Sequence, residues 1–513
     1  MDAFLARFGS NITGVLSGFD RLVFRGHLIA LIRPAGMQAF LRRAGIRLLD
    51  FKEYVSTTSE HIKQAALASA RRLERPIRYL RSSKTSKEAL VEQILLEQPV
   101  SKGLVCLFTS VEPCMSFEYH RSEDHAERGL KLTQRKCLHL YRYFLHPTFG
   151  LIGTRLQTWF PFNIQIWMNG REWLSVQLRR KKIGFQRADN TFTSVADLGA
   201  AQQLLTDQLT TDWATSFESV RKLIHPLHEQ IFASSPLDYY WSVYQSEWAT
   251  DLLFHTPANL AGLYPRLYRH AMLHFQSPDV MRFLGRKAHG NFTGELVTRF
   301  KDRPEGVRVK HWVHGNSLKM YDKAASVLRV ETTIANTADF RAYRAPQNQP
   351  DAEPSWKPMR KGIADLNRRA QVSQAANERY LDALSLIDDA TPLSAIFDQV
   401  SHPVTRDSTR TRAIRIGDPQ DIALLRAISR GEFTTNGFRN RDLRLILFPS
   451  LPADQVASKA AKTTRLLRLL RAHGLIRKVQ KTHRYLLTPK GAQLATALSA
   501  TRQATTRQLL SAA

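Results

Sequence analysis

The sequence predicts an α+β multidomain protein. A mixed α/β N-terminal core containing an antiparallel β-meander is followed by a C-terminal winged helix-turn-helix domain. Three observations carry this reading. The chain has 513 residues, too many for one compact core. Three strand-like runs joined by tight turns lie at 307–334. From Asp418 onward, three helix-forming segments precede two short strand-forming ones.

The core is expected to span 1–344, with candidate breaks near 100 and 195. In its first part Leu22–Ile32 is apolar and partly strand-like, and Ile62–Leu80 reads as a basic helix. Thr85–Leu96 reads as a second helix, with Ser86 placed to cap it. Residues 103–174 read mostly as β, with strands at Gly103–Thr109, Cys137–Leu145, Leu151–Trp159 and Asn163–Met168. Asn169 and Gly170 mark a turn before a helix at Arg171–Lys182. Residues 196–300 read as mainly helical, and the aromatic run Tyr239–Trp248 is expected to pack as part of a helical core. Val307–His314, Ser317–Lys323 and Val327–Ile334 form the meander. A proline-rich polar stretch at 345–358 reads as a linker or exposed loop, and a basic helical segment follows at 359–400. Residues 401–417 read as a second linker, 418–500 as the winged helix and 501–513 as a tail.

Charge points to the partner. The chain has 74 Lys+Arg against 45 Asp+Glu, a formal net charge of +29, which calls for a polyanion. DNA is the expected partner, because neutralising its phosphates releases condensed counterions; structured RNA is the alternative. No apolar run is long enough to span a bilayer, so no membrane partner is expected. Three cysteines and an N-terminus without a signal-peptide pattern predict a cytoplasmic, nucleoid-associated protein. The oligomeric state is not legible, though a dimer is compatible with the C-terminal pattern. There is no Walker loop and no Gly-x-Gly-x-x-Gly after a strand, so no nucleotide cofactor is expected. Cys106, Cys114, Cys137, His120, His125 and His139 lack zinc-site spacing.

In the C-terminal segment Asp418 sits as an N-cap with Pro419 after it, and Gly431 is the expected helix stop. Asn440–Phe448 and Val456–His473 are the next two helices, and Leu475–Val479 with Arg484–Leu487 make a hairpin. A third helix rich in basic residues suits a major groove, and a basic hairpin tip suits the flanking backbone. The candidate DNA contacts are Lys459, Lys462, Arg465, Arg468 and Arg471 on that helix, Lys481, His483 and Arg484 at the tip, and Arg439 and Arg441 before the second helix. The stretches HGLIRKV at His473–Val479 and YLLTPKG at Tyr485–Gly491 resemble the winged helix of MarR-type regulators. A winged helix that contacts only protein is the other reading.

Strand alternation places Leu318, Met320, Leu328 and Val330 on one side of the meander. Lys319, Tyr321, Lys323, Arg329 and Glu331 fall on the other. A tyrosine can attack phosphorus, a carboxylate can hold Mg²⁺ or Mn²⁺, and cations can stabilise the charge that develops. The string NSLKMYDK at Asn316–Lys323, followed by LRVE at Leu328–Glu331, resembles a motif of rolling-circle replication initiators. Those proteins nick one DNA strand and stay attached through tyrosine. The resemblance implies Tyr321 as nucleophile, Glu331 as metal ligand, and Lys319 or Lys323 as phosphate binders. Arg329 is a further candidate catalytic cation and Asp20 a second candidate metal ligand. The paired-histidine metal motif of many initiators is missing, since His311 and His314 fall on opposite faces of a strand. A solvated or RNA-facing sheet with a cross-strand Lys–Glu pair explains the same residues.

REWL at Arg171–Leu174, SEWATD at Ser246–Asp251, RFLGRK at Arg282–Lys287 and NGFRNRD at Asn436–Asp442 also resemble a family of bacterial proteins of similar length. That family is called MarR-like for its C-terminal domain, and the likeness brings no activity with it. Together these readings predict a mobile-element DNA-processing protein, a metal-dependent nicking or strand-transfer endonuclease. A binding-only regulator and an RNA-binding protein are the alternatives.

Overall fold

A computed structural model describes the chain except for residues 82–84, 122–127, 276, 286–295, 302–307, 347–348, 350, 386–392, 407–408, 430–437, 451, 480–482, 489, 492, 496 and 499–513. The chain divides into two compact units, Met1–Tyr268 with Leu296–Leu381, and Arg269–Glu295 with Asp382–Ala513.

The first unit is built on a mixed eleven-stranded sheet. Its strands are β1 (Ile12–His27), β2 (Ile77–Tyr79), β3 (Gly103–Arg121), β4 (Arg128–His146), β5 (Gly150–Gln157) and β6 (Ile164–Asn169). After a separate hairpin of β7 (Phe185–Ala188) and β8 (Thr191–Val195) come β9 (Tyr240–Phe254), β10 (Leu296–Lys301), β11 (Arg308–Val313), β12 (Asn316–Lys323) and β13 (Val327–Ile334). The order across the sheet is β10-β11-β12-β13-β9-β1-β6-β5-β4-β3-β2. Among the described residues only β2 runs parallel to its neighbour; the other pairs of this sheet are antiparallel. The meander forms in the expected register, with Lys319 opposite Glu331 and Tyr321 opposite Arg329.

One reading of the core needs correction. Residues 196–300 are mainly helical, with helices Leu198–Asp207, Trp213–Ile224 and Pro257–His274, but the strands β9 and β10 also fall within them. Tyr239–Trp248 is not helical packing but, from Tyr240 on, the first part of the central strand β9, flanked by β1 and β13. An apolar run covered on both sides keeps no clear alternation, so its spacing fits a helix equally well. The aromatic and basic run at 136–173 is largely core: Tyr141, Arg142, Tyr143, Phe144, Phe160, Arg171 and Trp173 are buried.

β14 (Arg341–Arg344) pairs antiparallel with β15 (Ser355–Pro358), which lies inside the proline-rich stretch expected to be a linker or exposed loop. The helix expected from 359 begins at Leu366 and runs to Leu384, after a 3₁₀ turn at Ile363–Asp365. It packs on the sheet rather than standing in a separate segment. Asn377 donates to the Trp248 carbonyl and to Thr250, and buried Arg369 donates to the carbonyls of Ile334 and Val243.

In the second unit the supposed linker at 401–417 is structured. Helix Leu393–Ser401 leads to a hairpin of β16 (Val404–Arg406) and β17 (Thr409–Thr411). Ile414 is buried with Val400, Leu425 and Leu470, so a boundary at 417 would cut through this core. Asp418 caps helix Pro419–Ile428 by accepting from the amides of Gln420 and Asp421. Helices Asn440–Leu447 and Val456–Ala472 follow, then β18 (Ile476–Lys478) paired with β19 (Tyr485–Leu487). Gly431, the expected helix stop, lies outside the described residues. Among the described residues no helix is long and apolar enough to cross a membrane.

Candidate metal centre

Three strands that are neighbours in the sheet each bring one carboxylate to the same point. Asp20 comes from β1, Glu247 from β9 and Glu331 from β13, and one oxygen of each lies within 4.8 Å of the others. All three residues are buried. The register explains how they meet. Glu331 pairs with Ala249, so Glu247 and Asp251 flank it on the same face. Between Phe19 and Leu22, β1 carries one residue more than β9 opposite it. This bulge delivers Asp20 to the cluster, a re-aiming that bulges beside functional sites commonly provide.

The carboxylates are held by a second set of charges. Glu331 accepts from Lys319 Nζ through one oxygen and from the Tyr321 hydroxyl, at 2.7 Å, through the other. Lys319 also stands 3.6 Å from Glu247, which accepts from Gln245 Nε2. Asp20 accepts from Asn190 at 2.6 Å and from Arg329 at 3.2 Å. Arg329 grips Asp251 with two bonds of 2.6 and 2.8 Å, and Arg171 meets the Oδ2 of the same carboxylate at 2.9 Å. Arg171 is placed by the start of its helix. Asn169 caps it, and Gly170 lies so close to the Phe19 carbonyl that a Cβ would sit 1.8 Å from the oxygen.

Burial and the neighbouring Glu331 charge push the Glu247 carboxyl up to about 7. Burial also opposes ionisation of Glu331, but Lys319, the Tyr321 hydroxyl and Arg329 outweigh it and hold that carboxyl below its usual range. Burial and the Glu331 charge raise the Tyr321 phenol well above its usual value. The two glutamates therefore ionise in different ranges, and near neutral pH the pair can release or take up one proton.

A cavity of about 610 Å³ opens on the cluster. Eight carboxylates line it against five cations, in a chain whose net charge is +29. Glu88 and Glu92, one helical turn apart, are among the eight. Lys323 lies on the wall, paired with exposed Asp189 at 3.0 Å. Hard oxygen donors concentrated against the sign of the whole chain suit a divalent cation such as Mg²⁺ or Mn²⁺.

Of the residues expected at the site, Asp20, Lys319, Tyr321 and Glu331 come together and Lys323 lines the same cavity. Arg329 needs correction as a catalytic cation. It is fully buried and engaged by Asp251, Asp20 and the Asn190 carbonyl, so it positions acids and cannot reach a substrate. Glu247, Asp251 and Arg171 were not anticipated. The available signal was two acids four apart in an apolar run, and a helical reading of that run hid it.

In the second unit Arg465 and Arg468 are exposed, one turn apart on helix Val456–Ala472. Arg471 is half-buried. Lys459 and Lys462 instead fold over the Phe448 ring at 5.2 and 5.8 Å. Arg441 is exposed beside Asp442, while Arg439 is the half-buried N-cap of its helix. His483 is exposed and Arg484 half-buried; Lys481 lies outside the described residues. Arg477 and Lys478, exposed on β18, add cations that were not anticipated. Comparison of the chain with protein-family models, with curated proteins and with solved structures found no match.

Proposed function

We propose that this protein is a metal-dependent DNA-nicking enzyme whose C-terminal unit docks on duplex DNA as a winged helix. The observation that carries the reading is the Asp20–Glu247–Glu331 cluster with the Tyr321 hydroxyl bonded to one of its members inside an open cavity. Asp20, Glu247 and Glu331 would hold Mg²⁺ or Mn²⁺, which supplies charge neutralisation at a phosphodiester. Tyr321 is the attacking group. Its oxygen forms a bond to phosphorus, the P–O bond to the 3′ oxygen of the strand breaks, and the phenol proton, relayed through the hydrogen bond to Glu331 Oε2, ends on that leaving oxygen as a 3′ hydroxyl. Lys319 balances the buried acids, and Lys323 faces the phosphate. On β11 the alternate residues Arg308, Lys310 and Trp312 extend the same sheet face, and Trp312 is exposed. They offer cations and a ring to a strand leaving the cavity.

The experiment is incubation with supercoiled plasmid carrying DNA that flanks the gene, with Mg²⁺, Mn²⁺ or chelator. Metal-dependent nicking with a protein–DNA adduct is expected, and Tyr321→Phe is expected to abolish the adduct. Nicking without an adduct would make water the nucleophile. No nicking alongside tight binding would leave a binding-only protein.

Duplex docking is supported by the order of three helices and a hairpin, and by the exposed face around Arg465 and Arg468. Ala457, Ser458, Ala461 and Thr464 complete that face, so little bulk would keep it from a groove. Arg465→Ala with Arg468→Ala is expected to lower duplex affinity and flatten log affinity against log salt by about 1.8, for two phosphate contacts. An unchanged slope would rule out docking by this helix.

A further inference from the structure

A second cavity, of about 340 Å³, opens on the sheet face that carries the carboxylates. Arg21, Val23 and Arg25 alternate along β1 and pair with Asn169, Trp167 and Gln165 of β6. Trp167 and Gln165 pair in turn with Gly153 and Arg155 of β5. The upper members of these rows, Arg21, Trp167 and Gly153, line the metal cavity. The lower members, Arg25, Gln165 and Arg155, line the second one, with His27, Cys114 and Gln157. Arg25 lies four residue steps along the strand from Arg21, about 13 Å, the span of a few nucleotides.

The two cavities differ in sign. No carboxylate lines the second one. Among the described residues Arg25 has no acidic partner; its guanidinium lies 3.5 Å from the centre of the exposed Tyr244 ring. Arg155 donates to His139 at 3.1 Å and forms a long ion pair with Glu112 at 4.0 Å. Burial lowers the pKa of Arg25, the Tyr244 contact opposes this, and the charge of Arg155 lowers it further. Two half-buried guanidiniums that repel each other, beside side-chain amides, form a receptor for an oxyanion. The stacked Arg25–Tyr244 pair presents a flat surface on which a base can rest.

We propose that this cavity binds a backbone phosphate of a single DNA strand, a few nucleotides from the bond cut at the carboxylates. The identity of the ligand rests on the cleavage reading, but the anion site does not need metal. The test uses the full chain carrying Arg465→Ala and Arg468→Ala, with a fluorescent 12-nucleotide oligothymidylate in chelator. Arg25→Ala and Arg155→Gln, checked for unchanged melting, are each expected to weaken binding about tenfold. Each should flatten the salt dependence by about 0.7, the single-strand value for one phosphate. Unchanged affinity and slope in the double variant would overturn the proposal. Inorganic phosphate displacing the oligonucleotide far better than chloride at equal ionic strength would also overturn it, by assigning the cavity to the free ion. Loss of strand binding in these variants, in a protein that never nicks plasmid, would sustain the phosphate site and sink the cleavage reading.

Discussion

Arg329→Ala is expected to destabilise the N-terminal unit by about 3–5 kcal/mol, the cost of removing one partner from a buried ion pair. Arg329 is fully buried and makes the only bidentate contact to Asp251 found among the described residues. Without it, Asp251 keeps Arg171 alone and Asp20 keeps Asn190. Two buried acids would then be under-compensated beside two more. Urea unfolding followed by tryptophan emission reads the effect. A loss below about 1 kcal/mol would mean that the acids are solvated and that the charge network is not what gathers them. Arg329→Lys should fall between, because an ammonium keeps the charge but cannot reproduce the fork.

Glu331→Gln is expected to lower metal-dependent nicking by at least about 10²–10³-fold, the scale of losing one preorganised electrostatic group. The carboxylate is at once a cluster member, the acceptor for the Tyr321 hydroxyl and the partner of Lys319. Glutamine keeps the shape but removes the charge and the proton acceptor. Plasmid nicking rates against wild type check it, alongside duplex binding in chelator, which should not change. Wild-type rates in the variant would place the chemistry elsewhere.

The sequence showed the meander and its faces clearly, because period-two alternation and the Gly315–Asn316 turn are local signals. Lys319, Tyr321 and Glu331 could therefore be assigned to one surface from β12 and β13 alone. Their burial could not, since it depends on β9 lying beside β13, a pairing between segments with 72 residues between the end of β9 at Phe254 and the start of β13 at Val327. Asp20 was legible as a candidate but not its proximity, which comes from a one-residue bulge. Arg329 was misjudged because alternation gives a face and says nothing about what covers it. In the second unit the Asp418 cap marked the start of its helix, while Ile414 showed that a Ser-, Thr- and Arg-rich stretch can still supply a core residue.

The central claim is that Asp20, Glu247 and Glu331 form a divalent-metal site, and Mn²⁺ binding by titration calorimetry across pH tests it directly. Metal requires Glu247 ionised. With its carboxyl at about 7, protons compete below that pH and cease to above it. Without metal, the raised Glu247 value contributes stability that is present below 4.5 and lost as pH rises through about 7. Mn²⁺ should offset that loss. Saturable binding is expected at pH 8, weaker by about tenfold for one competing proton at pH 6, and lost in Glu331→Gln. No saturable binding at pH 8, or equal binding by wild type and Glu331→Gln, would contradict the claim.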